Sequence, residues 1–408
     1  MREAIKEIKV GLDFDSHIQP VGRLAIHEET IYFEYYAEFL QTGIAISPFR
    51  LPSQSGLIEL PRRPFEGLAG VFNDSLPDGW GRLLFDRMAR SQGIEPATIS
   101  PLDRLAHVGF HGMGALVYEP DNSTSDAHQF INLDHLATQT EEVLQGTSED
   151  ILLELLALNG SSAGARPKAL IAVDKLRENI SYGTEHLDND FEPWLVKFPN
   201  SQDGSDSGAI EYVYALLAKE AGVLMPDIHL FSSQKGAGYF AVQRFDRDKN
   251  NKFHMHTASG LLHSDFRAPS LDYEDLLNLT HVLTKDIREV ETMYRLAVFN
   301  VLAHNRDDHA KNFSFLMDKT GIWELSPAYD LTFSSGPNGE QSTMVKGEGR
   351  NPSISHLHSL GTEAKLSKSL IAEIIEQTRD ALSQWKDLAK KFNVHQKNIS
   401  HISYFINK

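Results

Sequence analysis

Over residues 5 to 60 the pattern of apolar and polar positions reads as short strands. Glu7-Ile8-Lys9-Val10-Gly11-Leu12 carries the period-two pattern of a half-buried strand, and Thr30-Ile31-Tyr32-Phe33-Glu34-Tyr35 is rich in β-formers. Val21-Gly22-Arg23-Leu24-Ala25 reads as a further strand between them. The pattern then changes to a helical one at Leu83 to Arg90, reached through a turn in which Asp74, Ser75 or Asp78 would act as caps. Arg104 to Tyr118, with Gly-spaced apolar residues, suggests a packed β-segment. Glu119 to His128 is polar and breaker-rich and marks a first boundary.

Beyond that boundary, Asp150 to Leu158 reads as a short apolar helix, and a small-residue loop from Asn159 leads into a strand ending near Val173. Glu192 to Pro199 reads as a strand with one lysine, Lys197, among apolar residues. Ala209 to Ala221 has helical periodicity, with a face built on Val213, Leu216 and Leu217 and with Glu211, Tyr214 and Lys219 pointing away from it. Gly238 to Arg247 reads as a strand that ends in charge. Most of the chain after Tyr273 is expected to be helical, near 272–284, 286–303, 366–385 and 397–406.

Composition narrows the classes. At 408 residues the chain has room for two or three domains, and its hydrophobic share of 41% is ordinary for a globular protein. No apolar run reaches membrane-spanning length, and Met1-Arg2-Glu3-Ala4 lacks a secretory pattern. The absence of cysteine excludes disulfides, thiolate metal sites and cysteine nucleophiles, and fits a reducing compartment, so a cytoplasmic protein without a membrane role is expected. A net charge of -17 argues against broad nucleic-acid binding, which needs clustered Lys and Arg.

The candidate chemistry is densest at Asn300 to Phe315, NVLAHNRDDHAKNFSF. Asn305 to Asn312 fits x-R-D-x-x-x-x-N, the catalytic-loop spacing of protein kinases. In that chemistry a carboxylate reaches the acceptor hydroxyl, and an Asn a few residues on turns back to hold a metal ion, giving Asp307 as base and Asn312 as metal ligand. Asp and Asn after an apolar helix are equally common as turn residues. Downstream, Trp323 to Asp330 is a short apolar run ending where a second metal carboxylate belongs, although Leu331-Thr332 replaces the usual Phe-Gly. Upstream, Lys197 is costly to bury unless it meets an anion such as a nucleotide phosphate. Glu211 would pair with it or sit solvated at a helix start. Ser161-Ser162-Ala163-Gly164, followed by Arg166 and Lys168, can turn backbone N–H groups toward phosphates or form a plain helix-to-strand turn. His304 and His309 lack a second ligand cluster, so a metal-dependent hydrolase has no coherent ligand set.

These residues resemble one family over nearly the whole chain, the HipA-type serine/threonine kinase toxins of bacterial toxin–antitoxin systems. Tyr32-Phe33-Glu34-Tyr35, Ser47-Pro48-Phe49 and the Leu76-Pro77-Asp78-Gly79 turn look like that family's N-terminal domain. Gly160 to Lys168, Trp194 to Pro199, Arg244-Phe245-Asp246-Arg247, Asp307 to Ser314 and Tyr329-Asp330 look like its kinase core. The resemblance implies an α+β fold, with a β-rich N-terminal domain at 1–125, a kinase small lobe with a preceding helix at 126–244 and an all-helical large lobe at 245–408. It implies that Asp307 is the catalytic base, that Asn312 and Asp330 hold Mg2+, that Lys197 meets ATP phosphates and that Ser161, with Ser162 beside it, is the autophosphorylated position. Ser161, Ser162, Ala163, Gly164, Arg166, Lys168, Gln243, Phe245, His309 and Lys311 join Lys197 as nucleotide-site candidates. Asp308 stands where some members have Gly. The implied partners are a HipB-like DNA-binding antitoxin, with DNA met only through it, and a protein substrate such as an aminoacyl-tRNA synthetase, whose phosphorylation stalls translation. The alternative is a catalytically silent kinase-fold module that acts as co-repressor with the antitoxin.

Overall fold

Residues 4–15, 17–123, 131–146, 155, 156, 158, 164–181, 190–200, 203–248 and 251–406 are described by the structure, a computed structural model. The alternating stretches near the start pair into an antiparallel sheet. Its strands are β1 (Glu7–Asp13), β2 (Ile18–His27), β3 (Thr30–Tyr35), β4 (Leu57–Glu59) and β5 (Leu116–Glu119), in the order β4-β3-β2-β1-β5. Ile31, Phe33 and Tyr35 of β3 point inward, as period two requires.

The segment read as extended from Arg104 onward instead begins as helix and continues through an irregular loop. Pro101–Val108 is helical, and only Leu116–Glu119 is strand. Local end chemistry decides it. Pro101 stands at the first helical turn, and Ser100 and Asp103 form a capping box.

The second sheet contains β6 (Lys168–Asp174), β7 (Ile180–Ser181), β8 (Phe191–Lys197), β9 (Ile228–Phe231) and β10 (Tyr239–Gln243), ordered β7-β6-β8-β10-β9 and antiparallel throughout. The Gly79–Ser91 helix packs into this sheet's core, where Trp80 and Leu84 share one apolar cluster with Ile171, Trp194 and Val196. The Ser207–Glu220 helix is buried more completely than its apparent face suggests. Glu211 and Tyr214, expected to point outward, are both buried, and the Tyr214 hydroxyl donates to Ala303 O at 2.8 Å.

The remainder is mainly helical. Tyr273–Thr284, Ile287–Leu302, Lys368–Ser383 and Gln396–Ile406 lie where periodicity put helices, and Ile354–Glu363 and Trp385–Lys391 add to them. Asp272 and Asp286 cap the first two, accepting from Glu274 N at 3.0 Å and Arg288 N at 2.9 Å. The hairpin β11 (Arg247–Asp248) and β12 (Asn251–Lys252) precedes a small sheet of β13 (His254–Thr257), β14 (Ser314–Met317) and β15 (Trp323–Leu325). Among the described residues no helix is long and apolar enough to cross a membrane.

The segment from Arg244 to Thr257 fastens the N-terminal sheet to the rest. Asp246 accepts from Gly114 N at 2.7 Å, and Arg247 donates to Gly112 O at 2.9 Å. Ser47, His256 and Asp74 form a hydrogen-bonded row at 2.9 and 2.6 Å that has the outline of a hydrolase triad. Ser47 and His256 are fully buried, and Asp74, whose side chain is 5% exposed, also accepts from Thr257 N and Oγ1, so the row acts as a bolt between the two parts.

Candidate active site

Antiparallel register sets the first part of the site. Lys168 on β6 lies opposite Lys197 on β8, which puts both side chains on one face of the sheet. Two like charges held together out of water need anions. Lys197 donates to Glu211, brought up by the Ser207–Glu220 helix, and to Asp330 Oδ1 at 2.6 Å. Burial opposes its charge, yet Asp330 and Glu211 outweigh that cost and raise Lys197 above the ordinary lysine value. Burial dominates at Lys168, which is pushed down to about 8. Arg166 adds a third cation, 3.3 Å from Asp203 and 3.6 Å from Glu211.

The second part is the loop after the Ile287–Leu302 helix. His304 at φ +55° breaks the helical path. Asn312 then folds back so that its side-chain amide donates to the Asp307 carbonyl at 2.8 Å, closing the short loop that the spacing implied. Of the two adjacent carboxylates, one looks out and one looks in. Asp307 faces a cavity, whose walls raise it above the usual aspartate value by desolvation. His309 opposes that shift, and Asp330 adds to it. Asp308 is buried, and accepts from Tyr273 OH at 2.6 Å, Gln341 Nε2 at 2.9 Å, Ser342 N at 2.9 Å and Thr343 N at 3.2 Å. Burial still pushes it up to about 6. Its role is to anchor the loop to the 341–343 segment, while Arg306 grips the same region through Arg350 O at 2.9 Å and Gly339 O.

This anchoring carries a direct test. In Asp308→Asn the new amide presents donors to two of the four donors now satisfied. The protein is expected to lose about 1–3 kcal/mol of stability. Urea unfolding should show a lower midpoint with an unchanged slope. An unmoved midpoint would remove Asp308 from the set of anchors.

Asp330 closes the site at φ +59°, a left-handed conformation that Asp tolerates, just beyond β15. Burial works against its charge, but Lys197 and Lys168 hold it well below the usual carboxylate range. Apart from the buried Glu211 and Asp308, these groups border one cavity of about 820 Å³. Gly164, Arg166, Lys168, Lys197, Gln243, Phe245, Asp307, His309, Lys311, Asn312 and Asp330 all line it. Ser161, Ser162 and Ala163 lie outside the described residues, as does most of the expected 150–158 helix. At the end of β10, the N–H groups of Gln243 and Arg244 are given to Asp227 O at 2.8 Å and Pro193 O at 2.9 Å. Phe245 packs against Tyr329 with ring centroids 5.4 Å apart.

Three residues assigned to capping do other work. The Asp78 side chain makes no cap bond, and accepts instead from Lys311 Nζ at 2.8 Å and from Gly164 N. Asp74 reaches His256 and Thr257, and Ser75 Oγ accepts from Tyr118 OH at 2.7 Å. Nothing local in the sequence separates such a carboxylate from a cap. Only the fold reveals its partner.

The HipA-like C-terminal domain matches residues 160–385, more than half of the chain, and the HipA N-terminal domain matches 13–119. The serine/threonine-protein kinase toxin HipA of Shewanella oneidensis is 23% identical over 314 residues, covering 68% of this chain and 67% of that protein. The Sinorhizobium fredii protein Y4dM is 25% identical over 203 residues, and the match spans only 49% of its length. The solved Shewanella oneidensis complex of HipA, HipB and operator DNA contains a chain with the same fold, at a TM-score of 0.69 and 16% identity, covering 98% of this chain and 95% of that one. With both domain families matched in order along one chain, and with the fold of the solved toxin shared from end to end, the protein belongs to the HipA family.

Proposed function

We propose that the protein is an ATP- and Mg2+-dependent serine/threonine protein kinase, the toxin of a toxin–antitoxin pair. The observation that carries this reading is the convergence of Lys197, itself paired with the buried Glu211, with Asp307, Asn312 and Asp330 on one cavity. The donor set fits the nucleotide. Magnesium is usually held by one or two carboxylates together with substrate phosphates, and Asp330 and Asn312 offer a carboxylate and an amide oxygen. Arg166, Lys168, Lys197 and Lys311 supply the cations that phosphates need. Bound there, magnesium would neutralise charge developing on the phosphates. As the acceptor oxygen bonds to the γ-phosphorus and the bond to the ADP oxygen breaks, Asp307 takes the hydroxyl proton.

The alternative, a silent co-repressor, needs none of these groups in register. Incubation with labelled ATP, magnesium and a lysate decides between the two. Label is expected on a cellular protein and on the chain itself, where mass spectrometry should find phosphate on Ser161, or on Ser162 as second choice. No label on any protein would favour the silent module. An aminoacyl-tRNA synthetase is the first substrate to try, with arrested translation as the consequence.

The partner we propose is a small HipB-like DNA-binding antitoxin, by similarity to the Shewanella complex. A charge of -17 leaves little to displace counterions from duplex DNA. The purified chain alone is therefore expected to bind DNA poorly at physiological salt and to be carried there by the antitoxin in the cytoplasm. Tight, salt-sensitive binding by the chain alone in a mobility-shift assay would overturn this.

A further inference from the structure

We infer that Asp78, carried on the N-terminal side of the chain, is a positioning residue of the phosphoryl-transfer site, holding the Lys311 ammonium and Gly164, ahead of β6, in one place. The inference rests on the kinase reading above and adds to it a residue from outside the two lobes.

Three contacts converge on this point. Asp78 Oδ2 accepts from Lys311 Nζ at 2.8 Å, with the side chains only 11% and 6% exposed. Its other oxygen accepts from the Gly164 N–H, and the Gly164 carbonyl in turn accepts from Trp80 N at 3.0 Å. Between these residues, Gly79 sits at φ +43°, and a Cβ there would lie 2.6 Å from both Ala165 Cα and Gly164 O. Only glycine allows the turn to press so close to the loop. The turn and the loop are thus joined by main chain on both sides of one carboxylate.

Lys311 is fixed from its other end as well. Its carbonyl accepts from Tyr329 OH at 2.6 Å, one residue before Asp330, and its ammonium lies 4.9 Å from the centre of the Phe266 ring. Burial opposes the charge on Asp78, but Lys311 outweighs it and holds the carboxyl below its usual range. A buried ion pair is a poor way to stabilise a domain contact, since well-packed apolar residues often do as well or better. It is a good way to keep an ammonium charged and aimed at the edge of a cavity built for phosphates. The partners of Asp78, a loop N–H and a lysine, are also partners a phosphate would take, so a carboxylate that blocks the site is the rival geometry.

Kinetics on the full chain separate these cases. Asp78→Asn keeps an acceptor for Gly164 but removes the charge facing Lys311. It is expected to lower kcat by about 10-fold or more, as misplacement of a catalytic group does, while the KM for ATP stays within about 3-fold. Lys311→Met should lower kcat similarly, and the double variant should be little worse than either single one. Asp78→Glu keeps the charge but shifts it by a methylene. It should lose kcat at a native-like unfolding midpoint, which a merely structural role would not produce. Native kcat in Asp78→Asn, tighter ATP binding, or fully additive losses in the double variant would each overturn the inference. If Asp78→Asn does not fold, native kcat in Asp78→Glu overturns it alone. A native chain that labels no protein would sink the kinase reading and this inference together, whereas a native chain that labels its substrate beside an Asp78→Asn variant of native kcat would sink this inference alone.

Discussion

Asp307→Asn is expected to lower phosphoryl transfer by about 10²- to 10⁴-fold, the usual worth of a positioned general base, while ATP binding stays within a few-fold of native. The substitution is nearly isosteric, so the loop that Asn312 closes onto the Asp307 carbonyl should persist. What is lost is the capacity to take a proton. Desolvation raises Asp307 toward neutrality, which makes the carboxylate a better base than a free aspartate. The rate should therefore rise with pH along a limb whose midpoint lies above the ordinary aspartate value and be flat in the variant. Asp330→Ala has a different signature. It removes the carboxylate that meets Lys197 at 2.6 Å and is proposed to hold the metal, so it should weaken binding of magnesium-ATP before it touches the chemistry. Calorimetry with ATP and magnesium, beside rates, separates the two. Equal loss of binding in both variants would end the division of roles.

The sequence was most legible where chemistry is local. Period two found β1, β-forming residues found β3, and the Asp-to-Asn spacing found a loop whose two ends do fold toward each other. Lys197 stood out because a lone cation in an apolar strand demands an anion. Its partner was harder to read. Glu211 sits on a helix buried nearly all round, and amphipathic reasoning expects a charged residue there to face solvent. The Arg104 region failed for the opposite reason, since glycines hinted at extension while the Ser100–Asp103 capping box settled the helix. Asp78 and Lys311 are 233 residues apart, and each reads locally as an ordinary polar residue. Their meeting depends on how the N-terminal sheet docks, which no window of sequence contains. The same holds for Arg244-Phe245-Asp246-Arg247, which reads as a strand ending in charge and whose three charged residues are in fact buried.

That sealed cluster gives the largest expected effect on stability. Asp246 accepts from Arg244 Nε at 2.9 Å and Nη2 at 2.7 Å, and from Gly114 N at 2.7 Å, with no part of its side chain exposed. Arg247 lies 4.0 Å away and holds Gly112 O, so one carboxylate is shared by two guanidinium groups that grip the 112–114 loop. Asp246→Ala leaves both cations buried without their counter-charge and should cost about 3–5 kcal/mol. Removing Arg244 as well, in Asp246→Ala/Arg244→Met, should recover part of that loss, because an apolar pair costs less than a stranded charge. The pH dependence has a definite sign. Burial works against the Asp246 charge, but Arg244 and Arg247 hold it far below the usual carboxylate range. Its contribution is therefore complete above the unfolded aspartate value of about 3.9 and fades as pH falls through the lower folded value. Urea unfolding of the three proteins at neutral and acid pH reads all of this. A single variant within about 1 kcal/mol of native at neutral pH would show that the loop is held by packing and that the buried charges contribute little to joining the two parts.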